Sequence, residues 1–147
     1  MNYKPFFDIA YKEACRALEH DDIPVGAAII KNGELISSGH NECIQQQNAT
    51  LHAEIVVINK ACQKLKSWRL DGCILISSLE PCCMCTGAIM QSRIQKVIFN
   101  ALDEKTGCIL SKYTLADDKQ LNQHIDYEYI QDKRSSDLLK KFFQHKR

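Results

Sequence analysis

The dipeptide Asn32-Gly33 places the strongest local limit on the fold. It separates an apolar stretch rich in branched residues, 25–30, from a second short stretch, 34–38. Both central residues of a type I′ turn need a positive φ, which Asn and Gly adopt more easily than other residues. The sequence therefore predicts an antiparallel hairpin, and any fold of this chain must contain that pair of strands.

Helical and strand-like segments alternate along the rest of the chain. Apolar residues at spacings of three and four predict amphipathic helices over 3–19 and 135–144. The segments predicted between them are a helix over 51–65 capped by Thr50, a strand over 73–77, a helix over 81–91 with Pro81 in its first position, a strand over 96–100, a helical stretch within 114–121 and a strand over 125–130. This order predicts one α/β domain over residues 1–147, with three α-β-α layers around a mixed five-stranded sheet.

Charge and hydropathy exclude several classes of protein. Lys and Arg number 19 and Asp and Glu 18, so a net charge of +1 excludes a module that binds nucleic acid by positive charge over its whole surface. No stretch approaches the roughly 18 apolar residues that a membrane helix requires, and no secretory signal is visible. We therefore expect a cytoplasmic protein with no membrane partner, in which the eight cysteines are reduced.

Three of these cysteines cluster behind a proline, in Pro81-Cys82-Cys83-Met84-Cys85. Cys82 and Cys85 are three residues apart, so at the first turn of a helix both sulfurs face one side, whereas Cys83 points away. The position of Cys83 predicts no role. The cysteines that stand alone among apolar or helical neighbours are expected to be reduced core residues: Cys15, Cys62, Cys73 and Cys108.

The segment His52-Ala53-Glu54 supplies the other groups of a metal site. One His and two Cys leave the fourth position of a tetrahedral zinc open for water, as in catalytic rather than structural zinc sites. Both segments open predicted helices behind predicted strands, so they can meet at one edge of the sheet. Glu54 is the candidate to move protons beside the metal.

Two other interpretations of these residues stay open. Cys82 and Cys85 alone could form a redox pair, although such a pair requires neither His52 nor Glu54. Zinc could also stabilise a binding module without turnover, although a purely structural site needs no carboxylate at position 54.

The order His-x-Glu followed by Pro-Cys-x-x-Cys is the signature of zinc-dependent nucleobase deaminases. The chain further resembles the bacterial tRNA-specific adenosine deaminases, and this resemblance covers nearly all of it, from Tyr3 to Arg147. It implies a cytidine deaminase-like fold and a homodimer. The segments that carry it include Asp22-Ile23-Pro24-Val25-Gly26-Ala27, Thr50-Leu51-His52-Ala53-Glu54-Ile55, Leu79-Glu80-Pro81-Cys82-Cys83-Met84-Cys85, Ser92-Arg93-Ile94 and Lys105-Thr106-Gly107.

The resemblance also implies a role for each matching residue. Glu54 would take a proton from the attacking water and pass it to N1 of adenine, and then to the departing ammonia. Attack at C6 would give inosine at the wobble position of a tRNA anticodon loop. Asn41 would hydrogen-bond the flipped base, and the Ala53 N–H would contact the base edge. The ligands of one zinc ion per subunit would be His52, Cys82 and Cys85.

Deamination of a free nucleobase, nucleoside or nucleotide, of the guanine or cytosine type, is the alternative. Departures from the family pattern fall where an RNA groove or pocket wall would be shaped: Asn100, Leu102, Leu110 and Gln123. Residues 133–147 carry six cations against Asp137 alone, a net charge of +5 that would suit either phosphate contacts or a solvated helix end. Tyr113 and Phe143 could stack on splayed bases, although core packing is the favoured role for Phe143.

Overall fold

The predicted hairpin is present in the computed structural model, which describes residues 1–146. Arg147, which contributes to the basic segment, lies outside the described residues. Strands β1 (Gly26–Lys31) and β2 (Glu34–His40) pair antiparallel. Asn32 and Gly33 between them have φ values of 53° and 78°, so both adopt the positive φ that the turn requires.

The five strands form one mixed sheet in the order β2-β1-β3-β4-β5. Strand β3 (Cys73–Ser77) pairs antiparallel with β1. Strands β4 (Lys96–Phe99) and β5 (Asp126–Tyr129) extend the sheet as parallel pairs. All strands except β1 therefore run in one direction, and their carboxyl ends share the edge at which open α/β sheets bind ligands.

Helices cover both faces of this sheet, which confirms the three-layer α-β-α architecture. The helices are α1 (Lys4–Leu18), α2 (Cys43–Gln46), α3 (Ala53–Leu65), α4 (Cys83–Gln91) and α5 (Lys133–His145). On one face, Phe7 of α1 packs with Ile76 and Ile98. On the other face, α3 and α4 cover a larger core that contains Leu75 and Val97. Within residues 1–146, no helix has the length and apolar character needed to cross a bilayer.

Two helix starts differ from their predicted positions. Helix α3 has His52 as its N-cap residue, and the Thr50 hydroxyl donates to Asn48 Oδ1 at 2.8 Å instead of capping the helix. Helix α4 has Cys82 as its N-cap residue, so Pro81 precedes the helix rather than opening it. Both shifts move a predicted zinc ligand to a helix boundary.

Two connections also differ in their local structure. The polar stretch that follows β2 contains the short helix α2. The segment between β4 and β5 has only one 3₁₀ turn, Leu115–Asp117, where a longer helical stretch is predicted. Side-chain and backbone hydrogen bonds hold this long connection, and its first part borders the site described below.

Candidate active site

Two helix N-termini meet at the carboxyl edge of the sheet. His52 and Cys82, the N-cap residues of α3 and α4, both have extended backbones, with ψ of 157° and 179°. Their carbonyl groups accept the first helical hydrogen bonds, from the N–H of Val56 at 3.0 Å and of Thr86 at 2.8 Å. The positive potential at these helix ends favours thiolate over thiol.

The three predicted zinc ligands lie together at this point. His52 Nδ1 is 3.7 Å from Cys82 Sγ and 3.6 Å from Cys85 Sγ. Nitrogen and sulfur ligands of a tetrahedral zinc, at about 2.1 and about 2.3 Å from the metal, lie roughly 3.6 Å apart. The donor atoms therefore have the chemistry and the spacing of a zinc site, and no other such cluster of three occurs within residues 1–146.

Hydrogen bonds between the ligands set their proton affinities. The Cys85 thiol and the His52 ring bond to Cys82 Sγ and lower the pKa of Cys82 to about 4, although burial opposes this. The pKa of Cys85 is raised, because its thiol bonds to Cys82 and is buried. The hydrogen bond with Cys82 raises the pKa of His52. A cation bound by both thiolates would release the proton that Cys85 holds.

Glu54 lies beside this cluster, on the first turn of α3. Only 4% of the residue is exposed, and burial raises the pKa of its carboxyl to about 7. The carboxyl borders the same cavity as His52 and Cys82. A carboxyl with a pKa near neutrality can both accept and return a proton.

Asn41 and Ala53 lie together, but in a different relationship from the predicted one. The Ala53 N–H donates to Asn41 Oδ1 at 2.7 Å, and Ala53 is fully buried. In this structure the amide therefore has a protein acceptor, and its contact with a base edge stays a prediction. Asn41 itself borders the cavity, and its Nδ2 donates to no group found within residues 1–146.

The cavity above these residues has a volume of about 770 Å³. Residues 101–106 form one wall, and α5 contributes Lys140 and Phe143 to the other. Phe143 is 48% exposed, so its predicted core role is wrong. Lys140 brings a cation to the cavity, whereas two other predicted cations are paired: Arg134 with Asp8 and Asp132, and Lys146 with Asp21.

Sequence reasoning missed two features next to the zinc ligands. Cys83 and Cys108 form a disulfide, so Cys108 is buried as predicted but is not reduced. Their separation of 25 residues, in segments of different predicted structure, offered no signal for pairing. Glu80 is buried and accepts hydrogen bonds from four backbone N–H groups. Its one sequence signal was a charged residue between the apolar end of β3 and Pro81.

Comparisons with known proteins agree with this geometry. The chain is 43% identical to a tRNA-specific adenosine deaminase of Aquifex aeolicus (strain VF5) over an alignment of 143 residues. This alignment covers 97% of this chain and 95% of the relative. A tRNA-specific adenosine deaminase of Bacillus subtilis (strain 168) is 42% identical over 117 residues, or 80% of this chain and 73% of the relative.

Two solved structures share the fold. One, from studies of A-to-I editing by tRNA:A34 deaminases at the wobble position of transfer RNA, superposes with a TM-score of 0.89 at 33% identity and covers 92% of this chain and 99% of the other. A guanine deaminase of Bacillus subtilis gives 0.65 at 40% identity, over 69% of this chain and 66% of the other. Residues 1–101 match the family model of the cytidine and deoxycytidylate deaminase zinc-binding region. The chain thus belongs to the zinc-binding cytidine and deoxycytidylate deaminase family, and its relatives there include the tRNA-specific adenosine deaminases.

Proposed function

We propose that this protein deaminates adenosine to inosine at the wobble position of a tRNA anticodon loop, with one zinc ion per subunit. The observation that carries the proposal is the buried Glu54 carboxyl beside the His52, Cys82 and Cys85 cluster, on the floor of a cavity. The reaction adds water at C6 of adenine, breaks the C6–N6 bond and releases ammonia. The relatives named tRNA-specific adenosine deaminases support this substrate.

The residues of the chain divide the chemistry between them. His52, Cys82 and Cys85 hold the zinc ion, which supplies the Lewis acidity that activates water at neutral pH. Glu54 accepts a proton as water attacks C6 and delivers it to N1 of the ring. As the C6 hydroxyl becomes a carbonyl, Glu54 accepts the proton of that hydroxyl and passes it to the departing amine, which leaves as ammonia. Asn41 orients the base through its Nδ2 donor, because its Oδ1 is occupied by the Ala53 N–H.

An RNA substrate is favoured over a free base by the second wall of the cavity. A free base needs contacts on the floor alone, whereas Lys140 and Phe143 border the cavity from α5. A cation and a half-exposed aromatic ring suit a phosphate and a flanking base of a single-stranded loop. The structural likeness to a guanine deaminase makes deamination of a free purine the second candidate.

A substrate panel tests this choice. The purified zinc-loaded protein is incubated with an anticodon stem-loop that carries adenosine at the wobble position, with the same stem-loop carrying guanosine there, and with free adenosine, adenine, guanine, cytidine and cytosine. Ammonia release and nucleoside chromatography measure turnover. We expect inosine in the first RNA and at least about a hundredfold lower kcat/KM on every free compound. Ammonia from guanine without inosine in RNA would replace the proposed substrate with the second candidate.

We also propose that the chain forms one catalytic domain that acts as a homodimer in the cytoplasm, a compartment in which a disulfide such as Cys83–Cys108 is unusual. Support for the dimer comes from exposed apolar side chains on two segments that the Cys83–Cys108 bond joins: Met84, Leu110 and Tyr113. Exposed apolar side chains next to one another are typical of protein interfaces. Sedimentation equilibrium should give twice the chain mass for the wild-type protein and the single mass for Leu110→Glu, and a wild-type monomer would contradict the proposal.

A further inference from the structure

Glu80 is a buried carboxylate that the proposed proton transfers do not use. It lies two residues before Cys82 and is only 2% exposed. A charged group at this depth costs several kcal/mol unless hydrogen bonds replace its water shell. The contacts of Glu80 therefore indicate what the fold gains from it.

Within residues 1–146, the side-chain hydrogen bonds of this carboxylate all go to one segment, residues 101–113. Its Oε2 accepts from the N–H groups of Ile109, Leu110 and Ser111 at 3.0, 2.8 and 3.0 Å. Its Oε1 accepts from the N–H of Asp103 at 3.1 Å and from the Ser111 hydroxyl. An ionised carboxylate, which only accepts hydrogen bonds, suits such a set of donors. The segment is thus wrapped around the Glu80 side chain.

Gly107 lies at the point of closest approach. A Cβ atom at this position would collide with the Glu80 carboxylate and would lie 2.5 Å from the carbonyl oxygen of Asp103. The segment therefore closes around Glu80 with no room for a side chain at position 107. Departure of Leu110 from the family pattern leaves this arrangement intact, because Leu110 contributes its backbone N–H.

The wrapped segment is also a wall of the substrate cavity. Residues 101–106 line the cavity, as do residues of α5. The wall contains no helix or strand of its own, and Glu104, Lys105 and Thr106 are exposed, so packing alone does not fix its shape. The backbone of the 101–113 segment is hydrogen-bonded directly to residues 81–85, the zinc segment, since the Cys108 N–H donates to the Pro81 carbonyl at 2.9 Å.

We infer that Glu80 is a positioning residue that holds the 101–113 segment as the substrate-selecting wall of the cavity, in register with the zinc segment. The inference rests on the proposed function for the identity of the substrate. Loss of the carboxylate leaves four backbone N–H groups without their acceptor. Residues 101–113 are then expected to shift relative to the zinc ligands. We expect KM to rise more than kcat falls, because Glu80 contacts no group that carries out the proton transfers.

The experiment compares Glu80→Ala, Glu80→Gln and the exposed control Glu34→Ala. The wobble-adenosine stem-loop serves as substrate, and zinc content is measured by elemental analysis. We expect one zinc per chain in all three variants, a KM at least about tenfold higher in Glu80→Ala with kcat changed less than about threefold, and a partial return in Glu80→Gln, which keeps one acceptor oxygen. The control should match the wild-type protein.

Hydrogen exchange of residues 101–113 gives a readout that needs no substrate. Amide exchange there should rise at least about tenfold in Glu80→Gln and stay at the wild-type rate in Glu34→Ala. Unchanged exchange in this segment, an unchanged KM, or zinc loss in parallel with activity would each overturn the positioning role. If Glu80→Ala does not fold, Glu80→Gln and Ser111→Ala carry the same test. Failure of the proposed function would appear separately, as a wild-type protein that forms no inosine.

Discussion

The side chain of Asn41 joins the end of the hairpin to the first turn of α3, because its Oδ1 accepts the Ala53 N–H at 2.7 Å. The first N–H groups of a helix have no partner within the helix, so Asn41 satisfies one of them from outside. The same contact occupies Oδ1 and leaves Nδ2 for the base contact that we propose. Asn41 thereby links α3 to the end of the hairpin, and its side chain borders the cavity.

Two substitutions of Asn41 separate these functions. Asn41→Ala removes the acceptor of a buried N–H, and we expect the free energy of unfolding to fall by about 1 kcal/mol and kcat/KM to fall at least about tenfold. Asn41→Asp keeps an acceptor oxygen and loses the Nδ2 donor, so kcat/KM should fall while stability is retained. Urea unfolding and inosine formation measure the two effects, with the exposed Asn122→Ala as control. Wild-type kcat/KM in Asn41→Asp would contradict a role for Nδ2.

Glu54→Ala should keep the zinc ion and lose the reaction. Positioned proton transfer contributes at least about a hundredfold to a rate, so kcat should fall by that factor or more. Elemental analysis should still find one zinc per chain, because the carboxylate is not among the three donors. Turnover at the wild-type rate in this variant would remove Glu54 from the mechanism.

Substitution of any single zinc ligand, in contrast to Glu54→Ala, should lower the zinc content. We expect His52→Ala, Cys82→Ala and Cys85→Ala to bind less than about a tenth of the wild-type zinc, because two donors alone hold the ion weakly. Their melting temperatures should fall as well, since metal binding is coupled to folding. Cys73→Ala, a buried cysteine outside the cluster, is the matched control for metal content. Full zinc occupancy in a ligand variant would refute that residue's assignment.

The zinc cluster was predictable because the residues that identify it occur in pairs that are close together in the sequence. His52 with Glu54, and Cys82 with Cys85, each occupy one helix start, and the shared direction of β2 and β3 brings these starts together. The hairpin was predictable for the same reason, since Asn32-Gly33 determines its turn without help from distant residues.

Features that depend on long-range closure were not predictable in this way. Glu80 contacts residues 103–111 because β4 pairs with β3, and its one local signal, a charged residue directly before Pro81, does not identify these distant partners. The resemblance implied a base contact for the Ala53 N–H. Its hydrogen bond to Asn41 Oδ1 could not be predicted, because Asn41 is twelve residues away and its side-chain direction depends on how the loop after β2 folds back. Phe143 was expected in the core because helical spacing does not show which neighbouring groove a helix borders.

The Cys83–Cys108 bond gives a prediction about thiol content. In denaturant without reductant, six thiols per chain should titrate, and eight after reduction. The bond closes a span of 25 residues, which in the chain-entropy model stabilises the fold by about 3.5 kcal/mol. Reduction should lower the free energy of unfolding by up to that amount.

Variants of the two bonded cysteines provide the control for this prediction. Cys83→Ser, Cys108→Ser and the double variant all lose the same bond, and the two variants with serine at 108 should be less stable than Cys83→Ser, because Cys108 is fully buried and Cys83 is exposed. All three should be insensitive to reductant, whereas Cys43→Ser should respond as the wild-type protein does. Eight titrating thiols before reduction would show that the bond is absent in solution.

Asp132 gives a prediction about pH. As the N-cap residue of α5, its carboxylate accepts from the Arg134 N–H at 3.1 Å and pairs with the guanidinium at 2.7 Å. These contacts hold the pKa of Asp132 below its usual value. A carboxyl whose pKa is lower in the folded state stabilises the fold above the unfolded pKa of about 3.9, and that stability is lost as pH falls through the folded pKa.

Asp132→Ala should therefore lower the free energy of unfolding by about 1 kcal/mol at pH 7, and the difference from the wild-type protein should shrink as pH falls below about 3.9. Urea unfolding of both proteins at matched pH, from 7 down to about 3, measures the difference directly. Zinc ligands protonate in both proteins alike, so their contribution cancels in the comparison. Asp137→Ala, at an exposed position on the same helix, is the matched control for the loss of one acidic residue. A difference for Asp132→Ala that stays constant down to about pH 3 would mean that its carboxylate charge contributes nothing to the cap.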